Sequence, residues 1–306
     1  NDSPELWNDY LDQALTVIRT SNPNRPVLVG PVFWNSISAL SSFDPPEDPN
    51  LVTTVHYYDP FEFTHQGATW VNPVPPVGTR WVAREYRFVN EWQNYSWGTT
   101  VDQAVGGMKV TFDQGFAGYY FHSDEGVEDV THLVFTADRA MNLQVKVTGP
   151  DGEGPGVQIA TTNGNNTYQI PMSQLGNPSL VTEVWLQNAS PNAQATWTNT
   201  KLLLKTSTGK HFMIGSQRDD IELAMDKAVA WTNERGMALY LGEFGAYELA
   251  NYADRVRWTR AVREIAEQRN IDWAYWELAA GFGIYDPDTN AFRRQLLKAL
   301  NPDFSR

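Results

Sequence analysis

Apolar positions along the chain follow two rhythms. "SPELWNDYLDQALTVIRTSNPNRP" sets Trp7, Leu11, Ala14, Leu15 and Ile18 at helical spacing. It predicts an amphipathic helix with Ser3 as N-cap and Pro4 as first residue. "PVLVG" (26–30) and "NLVTTVHYYDP" (50–60) are short apolar runs, suited to strands of a parallel sheet covered on both faces. "WNSISALSSF" between them reads as a short helix. From 84 to 208 the helical spacing gives way to alternating pieces such as "MKVTF", "GYYFHS", "HLVFTA", "LQVKV", "VTEVWLQN" and "TKLLLKT", separated by Gly, Asn, Pro and Asp. That texture predicts an antiparallel β-sandwich. Helix 216–236, strand 237–245, helix 251–270, strand 271–279 and a closing helix 290–300 then restore the first rhythm.

Strand followed by helix, repeated with short joints, implies a parallel sheet. The fold class is therefore α/β. Its strands are 26–30, 52–58, 238–243 and 272–277, carried by residues 1–83 and 209–306, with an all-β insertion at 84–208. Four strands are half of what a closed (β/α)8 barrel requires.

Composition narrows the function classes. The 306 residues are 42 % hydrophobic and 19 % charged, an ordinary globular balance. The absence of cysteine removes disulfides, thiolate metal sites and thiol nucleophiles. A net charge of -13 repels phosphate backbones and acidic polymers, so no nucleic-acid partner is expected. No apolar run is long enough for a membrane span. The opening lacks Met and passes at once into a helix signal, as where a leader has been removed or a chain begins within a domain. The 12 Trp and 13 Tyr supply flat faces beyond core needs, which suits stacking on sugar rings.

Candidate chemistry gathers at strand ends. Glu243, in "LYLGEFGAY", ends its strand, where parallel sheets place active sites. His56 and Tyr58 lie two apart at the end of another strand and share a face. A tyrosine hydroxyl there can orient a carboxylate. Trp276 ends the last strand in the same way, and Glu277 alternates to its other face. His65, Trp70 and Trp81, in the loop before the insertion, are candidates for lining a cleft. Each also has a plain structural alternative: core packing, or a satisfied polar group at the sheet rim. The five histidines are scattered without zinc-ligand spacing, so no metal site is expected. Asp124, Glu125, Glu128, Asp129, Asp151 and Glu153 are oxygen ligands that could hold a structural calcium in the sandwich, though no EF-hand loop is present. No other cofactor is implied.

"HYYDPFEFTHQGA" and "GEFGAY", with collinear segments over roughly 1–83 and 209–303, resemble glycoside hydrolase family 5, the cellulase family of (β/α)8 barrels. The resemblance implies that this chain supplies about the last four β/α units of the barrel. It implies retaining hydrolysis of β-glucan or cello-oligosaccharide, as by a secreted endo-β-1,4-glucanase. Glu243 would be the nucleophile, Tyr58 its hydrogen-bond partner, His56 a contact to the sugar or the catalytic network, and Trp276 a platform for the attacked sugar. Retention needs a second carboxyl group ~5 Å away as acid and base. In the family it stands in an Asn-Glu-Pro motif that this sequence does not contain. The expected partner is an N-terminal barrel half, as a separate or cleaved chain; the alternative is a non-catalytic glucan-binding protein or an inactive fragment. The sandwich resembles carbohydrate-binding modules in architecture, with Tyr119, Tyr120, Asp124, Trp185, Gln187 and Trp197 as candidate contacts.

Overall fold

Helix α1 (Pro4–Ser21) starts where the sequence predicts: Ser3 Oγ accepts the Leu6 N–H at 3.3 Å, and Pro4 opens the first turn. The computed structural model describes residues 3–304. Of the expected apolar stripe of α1 only Leu15 is fully buried, while Leu6, Tyr10 and Val17 on another face are 49, 55 and 69 % exposed.

Strands β1 (Val27–Val29), β2 (Leu51–Tyr57), β3 (Ala238–Phe244) and β4 (Asp272–Trp273) form a parallel sheet in that order. β4 is shorter than the predicted 272–277. Beyond it, the N–H groups of Ala274 and Trp276 still donate to Leu241 O and Phe244 O at 2.9 and 3.0 Å, so the chain keeps to the side of β3. β2 alternates strictly: Leu51, Thr53, Val55 and Tyr57 are buried, and the residues between them are half-buried. The buried side faces helices: Tyr57 stacks on Trp258 at 6.1 Å, and Phe244 meets the same ring at 6.3 Å. Trp258 belongs to α3 (Tyr252–Glu267), one of three further helices with α2 (Gln217–Arg235) and α4 (Arg294–Leu300). α4 starts later than predicted because Ala291–Phe292 pairs with Tyr285–Asp286 instead.

The barrel is not closed. Among the described residues, β1 and β4 are the edges of the parallel sheet, and Leu28 on β1 is 53 % exposed. The short helix expected over 34–43 resolves into two pieces, a turn at Val32–Asn35 and a 3₁₀ helix at Ile37–Ser42.

The chain divides into two compact units, residues 1–81 with 221–306, and residues 82–220. The second is a β-sandwich. One sheet runs Gly152–Glu153, Asn142–Gly149, Leu180–Asn188, Gly118–Glu128, Gln93–Asn94. The other runs Asn166–Pro171, Val130–Ala137, Leu202–Thr206, Lys210–Ser216, Tyr86–Phe88. Phe121, Phe135, Leu143, Val145, Val184 and Leu186 fill the core. The unit ends twelve residues beyond the predicted 208. "HFMIG" was expected in the α/β part, but it lies in an antiparallel strand between two others, buried on both faces. Such a strand has the same unbroken apolar run as a parallel one.

Candidate active site

β2 and β3 end side by side. Pairing runs Leu241 with Val55, then Glu243 with His56 and Phe244 with Tyr57, so Gly242 is an extra residue on β3. By simple alternation Glu243 would share a face with Leu241, which is fully buried. The bulge reverses that parity. Glu243 turns to the side of His56 and Tyr58, and Phe244 takes the buried side with Tyr57. Glycine is required here by close approach rather than by its dihedrals. A Cβ on Gly242 would lie 2.5 Å from Thr54 Oγ1 and 3.2 Å from His56 Nε2, and one on Gly245 would lie 2.1 Å from Trp276 O. Both glycines of "GEFG" thus have a steric cause.

Tyr58 donates its hydroxyl to Glu243 Oε2 at 2.8 Å, and His56 Nδ1 lies 3.3 Å from the same oxygen. The other ring nitrogen, Nε2, is 3.2 Å from Asn35 Nδ2. Burial, followed by the charge of Glu243, pushes the Tyr58 hydroxyl well above its usual range, so it remains a donor. Burial pulls His56 below the ordinary imidazole value against the opposing pull of Glu243. The arrangement is one carboxylate held by a phenol, with a neutral imidazole beside it, at the carboxyl ends of two parallel strands.

Aromatic rings continue from this point. Tyr58 meets His65 edge-on at 5.0 Å and Phe282 at 6.1 Å. His65 stacks on Phe61 at 4.1 Å and touches Phe282, and burial lowers its pKa to about 4. Trp70 is 59 % exposed and meets Tyr247 edge-on at 4.9 Å, and Tyr247 in turn touches Phe282. Trp276 is 44 % exposed. Trp81 departs from the expectation of a cleft residue. It is fully buried, and its backbone N–H donates to Asp254, the carboxylate gripped by Arg80 and Arg257. Tyr120 and Trp185 belong to the sandwich unit, on the outward side of the sheet that contains Gly118–Glu128. Tyr119 and Trp197, also candidates for sugar contact, are buried in the sandwich core instead.

Sequence reasoning missed Asn35, Tyr247 and Phe282. Tyr247 and Phe282 sit in "GEFGAY" and "GFGIYD", just past strand ends, where position alone could have flagged them. Nothing in the local pattern marks Asn35. No group of three or more His, Asp or Glu side chains that could hold a metal ion occurs among the described residues, and the six acidic sandwich residues do not converge. A shallow cavity lined by Glu267, Asn270, Ile271, Asp272 and Trp273 lies at the start of β4, not at its end.

Residues 1–105 match the cellulase family (glycosyl hydrolase family 5). It is 39 % identical over 95 residues to endoglucanase H of Acetivibrio thermocellus, covering 31 % of this chain and 10 % of that protein. It is 35 % identical over 66 residues to endoglucanase 3 of Fibrobacter succinogenes, covering 22 % of this chain and 10 % of that protein. The chain therefore spans about a tenth of the length of these two relatives. The structure of Thermotoga maritima Cel5A in complex with cellobiose superposes over 98 % of this chain and 56 % of its own, with a TM-score of 0.52 and 22 % identity. At that identity the likeness concerns the fold, a (β/α)8 barrel in those neighbours. No helix of the described residues is long and apolar enough to cross a membrane.

Proposed function

We propose that this chain carries the nucleophile of a retaining β-glucan hydrolase, an endo-β-1,4-glucanase that acts outside the cell on an insoluble or polymeric substrate. One observation carries the reading: Glu243 Oε2 accepts the Tyr58 hydroxyl at 2.8 Å, with His56 Nδ1 3.3 Å away but not hydrogen-bonded to it, at the bulged end of β3. A carboxylate so held is fixed for in-line attack on an anomeric carbon, and the phenolic donor can follow the charge as it moves to the glycosyl ester. Trp276 offers a half-exposed ring for the attacked sugar, and His65 and Trp70 continue the aromatic surface.

Retention also needs an acid/base carboxyl, supplied in this reading by further β/α units that complete the barrel. The free edges of β1 and β4 support it, as do exposed Leu28 and the uncovered Leu6, Tyr10 and Val17 of α1. An open parallel sheet is otherwise a liability. The completing units would bury this surface, whether they lie in a separate or cleaved chain.

The test is covalent trapping with a fluorinated cellobioside bearing a dinitrophenyl leaving group, which departs without a proton donor. Expected is a single adduct on Glu243 by peptide mass spectrometry, absent in Glu243→Gln, forming faster when the completing units are added. Glucan binding with no adduct under either condition would instead favour the non-catalytic alternative.

A second role rests on the sandwich. Trp97, Tyr120 and Trp185 meet edge-on at 5.1–5.8 Å, and Trp97 lies so close over Gly118 that a Cβ there would strike its ring at 2.3 Å. Tyr95 and His122 extend the row, and Gln144, Glu183 and Gln187 place amide and carboxylate groups on neighbouring outward positions. Mixed aromatic and hydrogen-bonding character of this kind fits a neutral glycan better than a peptide or an anionic polymer. Trp185→Ala is expected to weaken retention on soluble β-glucan in affinity electrophoresis, with trapping at Glu243 unaffected.

A further inference from the structure

The turn at Val32–Asn35 has an unusual backbone. Three consecutive non-glycine residues, Phe33, Trp34 and Asn35, have φ of 56, 55 and 60°. L-residues avoid this region, asparagine least, and a run of three is rare. Backbone of this kind persists where its surroundings fix it, and it concentrates at functional sites. Here the turn interrupts β1 and returns: Ser36 forms a parallel bridge with His56. The excursion is held by the Asn35 N–H to Pro31 O at 3.2 Å and the Ser36 N–H to Val32 O at 3.4 Å.

Its product is one side chain in one place. Asn35 Nδ2, which can only donate, stands 3.2 Å from His56 Nε2. The amide oxygen sits against Gly30, where a Cβ would come within 2.3 Å of Oδ1 and 2.5 Å of Thr54 O. With Nε2 accepting, the neutral ring must carry its proton on Nδ1, the nitrogen 3.3 Å from Glu243 Oε2. The groups facing the ring are Asn35, Glu243 and Thr54, and Tyr58 reaches the same carboxylate oxygen.

We propose that Asn35 is a positioning residue: the left-handed turn exists to fix His56 in its Nδ1–H tautomer, so that the imidazole presents a proton to Glu243 rather than a lone pair. Without the amide, the Nε2–H form that free imidazole favours would turn a lone pair toward the carboxylate. The proposal rests on Glu243 as the working carboxylate for its purpose, but the tautomer itself can be read without any reaction.

The experiment is ring-nitrogen NMR on the isotopically labelled full chain, with the His56 signals identified by their loss in His56→Gln. Asn35→Gly removes the amide while allowing the left-handed backbone, and Asn35→Asp replaces the donor with an acceptor. Expected is a dominant Nδ1–H tautomer in the parent, a switch to Nε2–H in Asn35→Gly, and an imidazolium surviving to higher pH in Asn35→Asp. Backbone spectra should be unchanged away from the turn. The rate of trapping at Glu243 should fall about tenfold in Asn35→Gly. An unchanged His56 tautomer in both variants overturns the proposal. If the tautomer switches but the parent shows no trapping, the positioning stands and the nucleophile reading fails.

Discussion

In the sandwich, Phe121, Phe135, Val145 and Leu186 are wholly buried between two sheets, whereas in the other unit Leu28 of the parallel sheet and three apolar residues of α1 are about half exposed or more. One unit completes its own core within the chain; the other buries only the face that meets its helices. The candidate site lies on the second. The self-contained core and the candidate site therefore lie in different regions, and each can be tested alone.

The largest effect should come from the chemistry. With the barrel completed, Glu243→Gln is expected to reduce turnover of β-glucan by on the order of 10³-fold or more, about 4 kcal/mol of barrier, while the melting of the sandwich stays as it was. Turnover within a few-fold of the parent would remove Glu243 from the role. Phe135→Ala should do the reverse. It should cost about 3–5 kcal/mol in denaturant unfolding, since its ring is fully buried, and leave trapping at Glu243 intact in the population still folded. Tyr58→Phe deletes one hydrogen bond to a carboxylate, a loss of roughly 1.5–3 kcal/mol, read as slower trapping without a change in melting temperature.

A pH series gives a smaller signal. Burial holds His65 at about 4, below the ordinary 6.5. Between those values the unfolded chain binds more protons than the folded one, so stability falls as pH drops through that window. His65→Gln should flatten the dependence in a thermal melt of the first unit. Least of all, Leu28→Ala should change stability by no more than about 0.5 kcal/mol in this chain. A markedly larger cost once the completing units are bound would show where they dock.

Much of this was legible in order and little in detail. Apolar runs separated by helical stretches foretold four parallel strands, and alternation between turn residues foretold the sandwich, because burial dictates both patterns. His56, Tyr58 and Glu243 could be placed at strand ends for the same reason. Trp81 was read as a cleft residue because a loop tryptophan beside prolines looks the same whether it points in or out. The sandwich boundary was misplaced because a strand buried on both faces carries no period. The Gly242 bulge was invisible: Leu239, Leu241 and Glu243 alternate cleanly, and only pairing with β2 reveals the extra residue. Asn35 was missed because its position depends on backbone dihedrals that no spacing encodes.

The extra residue also decides how the site responds to one kind of genetic accident. Loss of the single codon for Gly242 would keep the reading frame, the composition of the strand and the helices around it. It would also keep the carboxylate on the side of His56, because the residue after buried Leu241 in a regular strand already faces away from it, and Phe244 would stay on the buried side with Tyr57. A strand that kept the glycine and lost the bulge would instead set Glu243 opposite Tyr57, in the layer between sheet and helix. Among sequences that resemble this one, the side on which the glutamate emerges is therefore set by glycine and bulge together, and the presence of the glutamate does not report it.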